Sequence, residues 1–280
     1  MREIQTQEIV RAVRQMCMDS NYFLNDDVRE AIAAAAETEY SAVGKSVLES
    51  LLTNAEIAKE KEMPICQDTG MMILLVELGQ EVHIAGGGLT DALNEGVRQG
   101  YQDGCLRKSV VADPIRRGNT GDNTPAVIHY NVVPGDRLRI TALPKGFGSE
   151  NMGGVKMLKP SQGVEGVIQF VLDIVKEAGP NPCPPTVIGV GIGGTMEKAA
   201  LLSKQALARD LRTSNPDPYY AALEEELLEK INQLNVGAGG FGGKTTSLGV
   251  NIETFPTHIA GLPVAVTVSC HVTRHCQCEL

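Results

Sequence analysis

Three of the seven cysteines in this 280-residue chain sit beside residues that shape loops at the ends of strand-like segments. Cys66 lies in Pro64-Ile65-Cys66-Gln67-Asp68-Thr69-Gly70, and Cys183 in Gly179-Pro180-Asn181-Pro182-Cys183-Pro184-Pro185. Cys270 opens Cys270-His271-Val272-Thr273-Arg274-His275. A core cysteine has no need of flanking prolines, whereas rigid prolines hold a thiolate in fixed geometry, and loops at strand ends are where sites on sheets gather. The long gaps between the three match no compact zinc or ferredoxin spacing, which draws ligands from close Cys-x-x-Cys pairs. Two readings stand: small buried apolar side chains, or three corners of an iron–sulfur cubane whose fourth iron is open to a substrate oxygen.

The neighbours of these cysteines bear on that choice. Gln67 and Asp68 follow Cys66 directly, so a carboxylate stands near anything that cysteine binds; the plainer role for Asp68 is a turn residue before Gly70. Arg107 and Lys108 precede the polar run Asn119-Thr120-Gly121-Asp122-Asn123-Thr124-Pro125. A planar guanidinium there suits a carboxylate ligand, or is simply solvated. His258 sits in Phe255-Pro256-Thr257-His258-Ile259-Ala260, a setting equally suited to a structural histidine. Gly189-Val190-Gly191-Ile192-Gly193-Gly194 fits G-x-G-x-x-G, but no second strand ending in an acidic residue follows about 20 residues on. That favours a glycine turn for close packing or another anion over a dinucleotide site. A tail zinc site from Cys270, His271, His275, Cys276 and Cys278 is a further alternative, weakened by position, because chain ends fray.

The elements that must position these residues follow from periodicity. Ile9, Val10, Val13, Met16 and Cys17 share one helical face, which assigns Cys17 to the core. A second helix starts at Asn25 with Asp26 and Asp27 in its first turn, and a third sets Val43, Val47, Leu48, Leu51 and Leu52 on one side. Met71 to Leu78 is a short apolar run that predicts a buried strand, and a helix over 90–100 follows. Residues 126–133 and 137–143 alternate around Pro134-Gly135-Asp136, which predicts an antiparallel hairpin. Residues 161–178 predict a helix stopped by Gly179-Pro180, followed by strands at 186–190, 247–252 and 264–269 and helices at 196–207 and 219–234. The reading is a mixed α/β (α+β) fold, N-terminal helices then mixed sheets with at least one antiparallel hairpin, as a single domain over 1–280 with no clean boundary.

Composition excludes several classes. With 42% hydrophobic and 21% charged residues the chain is not disordered, and no apolar run reaches the roughly 18 to 20 residues of a membrane span. The N-terminus lacks the apolar core of a signal peptide, so a cytoplasmic location is expected. An odd cysteine count without an export signal is not a disulfide framework. A net charge of −9 with few aromatics argues against a nucleic-acid partner.

Together, the segments Pro64–Gly70, Leu106–Ser109, Asn119–Pro125, Lys145–Asn151, Gly179–Pro185, Gly189–Thr195 and Phe255–His275 resemble, in the same order, the alpha subunit of two-subunit class I (iron–sulfur) fumarate hydratases and the similar tartrate dehydratase alpha subunits. The resemblance implies a 4Fe–4S cluster on Cys66, Cys183 and Cys270, with one iron left for substrate. It implies that Gln67, Asp68, Arg107, Gly148 and His258 line the substrate pocket; Cys105, Cys276 and Cys278 match no ligand. The implied reaction is the hydration of fumarate to L-malate, the step of the tricarboxylic acid cycle, with L-tartrate dehydration as the alternative. In it Asp68 transfers the proton, Arg107 stabilises charge on a carboxylate, and His258 orients one. Ending just after the third cysteine loop, the chain is expected to need a beta subunit, in an α2β2 assembly acting on a small dicarboxylate. A redox or metal sensor is the non-enzymatic alternative.

Overall fold

The computed structural model describes residues 1–280, which pack as two compact units. The first comprises Met1–Leu24, Ala55–Phe147 and Arg274–Leu280; the second comprises Asn25–Asn54 and Gly148–Thr273. No helix is long and apolar enough to cross a membrane.

In the first unit, the apolar stripe of residues 9–17 becomes one face of α1 (Thr6–Tyr22), with Ile9, Val13, Met16 and Cys17 buried. Burial pushes the Cys17 thiol far above its ordinary range, the mark of a packing residue. α1 follows β1 (Arg2–Gln5) and packs on α4 (Leu89–Asp103). The run at 71–78 is β2 (Met71–Gly79), and β3 (Val82–Ala85) pairs with β1 in a separate ribbon. β4 (Val127–Val133) and β5 (Leu138–Lys145) form where alternation predicts strands. Residues 276–279 do not fray: they form β10 (Cys276–Glu279), antiparallel to β5, with Cys276 opposite Ala142 and Cys278 opposite Ile140.

The expected hairpin between residues 126–133 and 137–143 does not form. Both strands exist and Pro134-Gly135-Asp136 connects them, but they do not pair, because the sheet order is β10-β5-β2-β4. β2 lies between them, parallel to β4 and antiparallel to β5. Alternation in β4 and β5 suits either arrangement, whereas the apolar run of β2 is stable only with its faces covered at the centre of a sheet. The end of β2 fills the gap: Gln80 N–H donates to the Val133 carbonyl at 2.9 Å and Glu81 N–H to that of Gly135 at 3.0 Å. A Cβ on Gly79 would come within 2.5 Å of the Gly135 oxygen, so only glycine fits there. Antiparallel pairs occur in both main sheets, and the mixed α/β class holds.

The second unit begins with α2 (Asp26–Thr38) and the first part of α3 (Ala42–Lys61). On α3 Leu48 is buried as its periodicity predicts, but Val43 is 55% exposed. After α5 (Phe147–Glu150) come β6 (Gly154–Leu158), α6 (Gly163–Ala178), β7 (Thr186–Gly193), α7 (Met196–Ala206), α8 (Pro218–Asn232), β8 (Ser247–Phe255) and β9 (Leu262–Ser269). The sheet order is β6-β9-β7-β8, with every residue of β7 buried. The glycines of the G-x-G-x-x-G run serve packing: a Cβ on Gly189 or Gly191 would fall 2.2 Å from the Ser203 oxygen or 2.0 Å from that of Ala199, so α7 can approach β7 only without them. Each unit has its own core, Val171, Ile188, Leu227 and Val264 in the second and Leu74, Leu93, Tyr101 and Ile140 in the first. Full burial of each aliphatic chain contributes about 1.5–3 kcal/mol.

Candidate active site

In the first unit the loop between α3 and β2 carries Cys66, Gln67 and Asp68. Ile65 anchors it, its N–H donating to the Asn21 carbonyl at 3.0 Å. The Asp68 N–H points to Cys66 Sγ at 3.4 Å, and that thiol lies 3.3 Å from Gln67 Oε1. The Asp68 carboxylate is fixed at both oxygens: Oδ1 accepts from Gly70 N–H at 3.0 Å and Oδ2 from Phe147 N–H at 2.9 Å.

Arg107, in the segment after α4, is bonded to the flank of this loop. Thr69 is buried, and its hydroxyl accepts from Arg107 N–H at 2.9 Å and donates to the Arg107 carbonyl at 3.2 Å. Asn123 is fully buried at φ +64°; its Oδ1 accepts from the N–H groups of Ser109 and Val110 at 2.6 and 3.2 Å, and its Nδ2 donates to the Gly70 carbonyl at 3.2 Å. Tyr101 donates its hydroxyl between the Thr69 and Gly70 carbonyls at 2.7 and 3.0 Å. Burial pushes that phenol well up, keeping it a donor. Gln67, Asp68 and Arg107 are therefore brought together, with the Arg107 side chain exposed and in no ion pair.

Three residues of this framework were not singled out by their types: Asn123, Tyr101 and Arg274. Asn123 reads as loop, and its left-handed backbone, which asparagine tolerates, is the only signal for it. Arg274 is a lone basic residue after a cysteine; it is 5% exposed, and its Nη2 donates to the Asp68 carbonyl at 2.6 Å. Its Nε and Nη1 are buried without a hydrogen-bond partner, so two donors stand open under the Asp68 loop.

In the second unit, sheet register brings Cys183 and Cys270 together. β7 starts just after Cys183 and β9 ends just before Cys270, and Val187 pairs with Ser269 across them. His271 joins the loops, with its N–H 3.4 Å and its Nδ1 3.0 Å from the Cys183 carbonyl oxygen. Thr273 closes the turn by donating to the Cys270 carbonyl at 2.8 Å. The glycine-rich run at 237–243 backs the Cys183 loop: Gly239 N–H donates to the Pro184 carbonyl at 2.8 Å, and a Cβ on Gly240 would lie 2.4 Å from that of Pro180. Gly148 faces the same loop, 3.9 Å from the Asn181 oxygen when given a Cβ.

His258 does not join them. It lies in the β8–β9 connection, beyond the far end of the sheet, where Thr257 donates to the Gly194 carbonyl at 2.8 Å. Its Nδ1 accepts from Ala260 N–H at 3.2 Å, which assigns the proton to Nε2 and leaves that atom as a donor.

All seven cysteines are thiols rather than disulfides. No three His, Cys, Asp or Glu side chains are grouped closely enough to hold a metal ion, in the tail or elsewhere. Cys276 instead packs in β10: burial pushes its thiol up to about 12, and its Sγ lies 3.4 Å from the Met16 carbonyl. The donor chemistry of Cys66, Cys183 and Cys270 does fit an iron–sulfur cluster. They are soft sulfur ligands, none fully buried, held on loops tied by backbone hydrogen bonds, and an amide N–H already points at one sulfur.

Comparison with known proteins gives one consistent picture. The family model described as fumarate hydratase (Fumerase) matches residues 10–279. A protein of Methanocaldococcus jannaschii provisionally named L(+)-tartrate dehydratase subunit alpha is 39% identical over 272 residues, 95% of each chain. The L(+)-tartrate dehydratase subunit alpha of Escherichia coli strain UTI89 is 34% identical over 253 residues, 89% of this chain and 83% of that one. Its counterpart in strain K12 is 33% identical over the same span.

Proposed function

The chain belongs to the fumarate hydratase (Fumerase) family, and on that premise we propose that it is the alpha subunit of an iron–sulfur hydro-lyase that hydrates fumarate reversibly to L-malate. The observation that carries this reading is the span of the match, residues 10–279, which includes all three cysteine loops. In this reading Cys66, Cys183 and Cys270 hold a 4Fe–4S cluster. When bound, the cluster supplies a Lewis-acidic iron for a hydroxyl or carboxylate oxygen.

The residues of the chain account for the remaining chemistry. Removing a proton from the carbon beside a carboxylate builds negative charge on that carboxylate. Arg107 is exposed and unengaged, with a guanidinium suited to bind that carboxylate through two parallel hydrogen bonds. Asp68 is the proton-transfer group, its carboxylate held in one orientation by Gly70 and Phe147 yet with lone pairs to spare. Gln67 and Gly148 line the substrate, and His258 orients a carboxylate through Nε2–H. Arg274, with two open donors beneath the Asp68 loop, offsets the negative charge that thiolates and a dianion bring. A net charge of −9 makes these local cations necessary for attracting a dianion.

The relatives' names favour a second reading, dehydration of L(+)-tartrate, and they support a beta subunit, here proposed in an α2β2 assembly in the cytoplasm. The test is anaerobic co-purification with the beta subunit, visible absorbance of iron–sulfur charge transfer, and turnover of fumarate against L-tartrate. Faster turnover of one substrate assigns it. A colourless, iron-free complex inert toward both overturns the proposal.

A further inference from the structure

Arg274 stands where an apolar side chain would be the more stable choice. It is 5% exposed, its Nη2 donates to the Asp68 carbonyl at 2.6 Å, and its Nε and Nη1 have no hydrogen-bond partner. Donors left open in an interior cost stability, and a methionine of similar length would fill the space without them. What the arginine does hold is the loop after Cys66. Three consecutive carbonyls there are fastened from within: that of Asp68 by Arg274, that of Thr69 by Tyr101, and that of Gly70 by Tyr101 and Asn123. The Asp68 carboxylate is tied separately, to the N–H groups of Gly70 and Phe147. Arg274 thus governs the main chain of the residue whose side chain those two groups orient.

The place of Arg274 is set by β10. Continued by two steps, the β10–β5 register sets residue 274 level with Pro144, which pairs with Met72 near the start of β2. Asp68 lies just past that end of the sheet, where β2 begins, β5 ends and the chain enters β10. Along β10, Cys276, Cys278 and Leu280 pack on the apolar core, while Gln277 and Glu279 are exposed. Gln277 bonds Thr141 at 3.0 Å, and Glu279 pairs with Arg137 and Arg139. A slip of one residue would bury Gln277 and Glu279 and expose both thiols, so this alternation fixes the register. Here the two cysteines that match no ligand have a role as small apolar side chains, and burial pushes both thiols up.

We propose that Arg274 is a positioning residue for Asp68, placed by Cys276 and Cys278 through the register of β10. The proposal rests on the function set out above, in which Asp68 moves the proton. The experiment uses the full chain purified anaerobically with the beta subunit. Arg274→Met lowers kcat by about 10- to 100-fold, the effect of a reacting group displaced by roughly 1 Å. KM stays within about twofold, because Arg107 is fastened separately through Thr69. Its melting temperature equals or exceeds that of wild type, since the open donors are gone. Arg274→Lys, which keeps a charged donor, has a kcat between the two. A second readout is independent of turnover: amide hydrogen exchange at residues 68–70 quickens by about tenfold or more in Arg274→Met. It quickens equally in a chain ended after His275, which keeps the arginine and lacks β10. Wild-type kcat in Arg274→Met, with or without a lower melting temperature, overturns the proposal. So does wild-type exchange at residues 68–70 in the shortened chain. A wild-type complex inert toward both substrates refutes the proposed function instead, and the exchange alone then decides whether Arg274 holds this loop.

Discussion

Asn123 touches neither thiol nor carboxylate, yet its replacement should loosen both Arg107 and the Asp68 loop. In Asn123→Ala the Val110 N–H, buried, loses its acceptor at about 1–3 kcal/mol, while the Ser109 N–H, nearer solvent, loses a net bond of about 0.5–1.5 kcal/mol. The Gly70 carbonyl keeps the Tyr101 hydroxyl and costs little. Alanine at φ +64° adds up to about 1 kcal/mol, because asparagine visits this region more readily. The expected loss is about 2–5 kcal/mol in urea unfolding, or at least roughly 8 °C in melting temperature for a unit of this size. Asn123→Gly removes the same bonds without the strain and should lie about 1 kcal/mol above Asn123→Ala. Asn123→Asp keeps the acceptors and should be the mildest of the three. Turnover assays should show KM rising before kcat falls, since the damage is to the positioning of Arg107. If Asn123→Ala melts within about 2 °C of wild type, the fastening described here is wrong.

Arg107→Met should lower kcat/KM for the dicarboxylate by about 10- to 150-fold, the worth of a charge-assisted pair, while leaving unfolding within about 0.5 kcal/mol because the side chain is exposed; an equal loss of stability would make Arg107 structural. Asp68→Asn should lower turnover by about 10²- to 10⁴-fold with the visible absorbance of the proposed cluster intact, and near-normal turnover would remove Asp68 from proton transfer. In the metal-free chain at pH 8, iodoacetamide should label exposed Cys183 and spare Cys17 and Cys276 until urea is added, as mass spectrometry of the peptides will show. Burial raises both thiols in the folded state, so their contribution to stability is complete below about pH 8.5, where unfolded thiols are still protonated, and is lost as pH rises above it. A flat stability profile between pH 8 and 10 would contradict the burial of those two side chains.

How far the sequence foretold this arrangement depends on the range of the forces involved. Helical stripes such as Ile9, Val13, Met16 and Cys17 are local, and their burial is readable from spacing alone. The insertion of β2 between β4 and β5 is not local: it is settled by competition among strands for the sheet centre, and a turn tripeptide cannot report it. β10 was illegible for the same reason, since its partner lies far back along the chain. In the site, Cys66, Asp68 and Arg107 were visible as residue types in unusual company. Asn123 and Arg274 were not, because their importance lies in which distant backbone groups they bond. The distance of His258 from Cys270, only twelve positions away in sequence, is visible only once the intervening segment is known to be a straight strand.

The discontinuity of the first unit has a consequence for the order of synthesis. Residues 274–280 close its sheet through β10 and support the Asp68 loop through Arg274, whereas the rest of that unit has been made by residue 147. On the ribosome the Cys66 loop therefore waits, without its underlying guanidinium and with the β5 edge unpaired, while the whole of the second unit is translated. Domains that emerge early usually fold first, but here the earliest segment is finished by the latest.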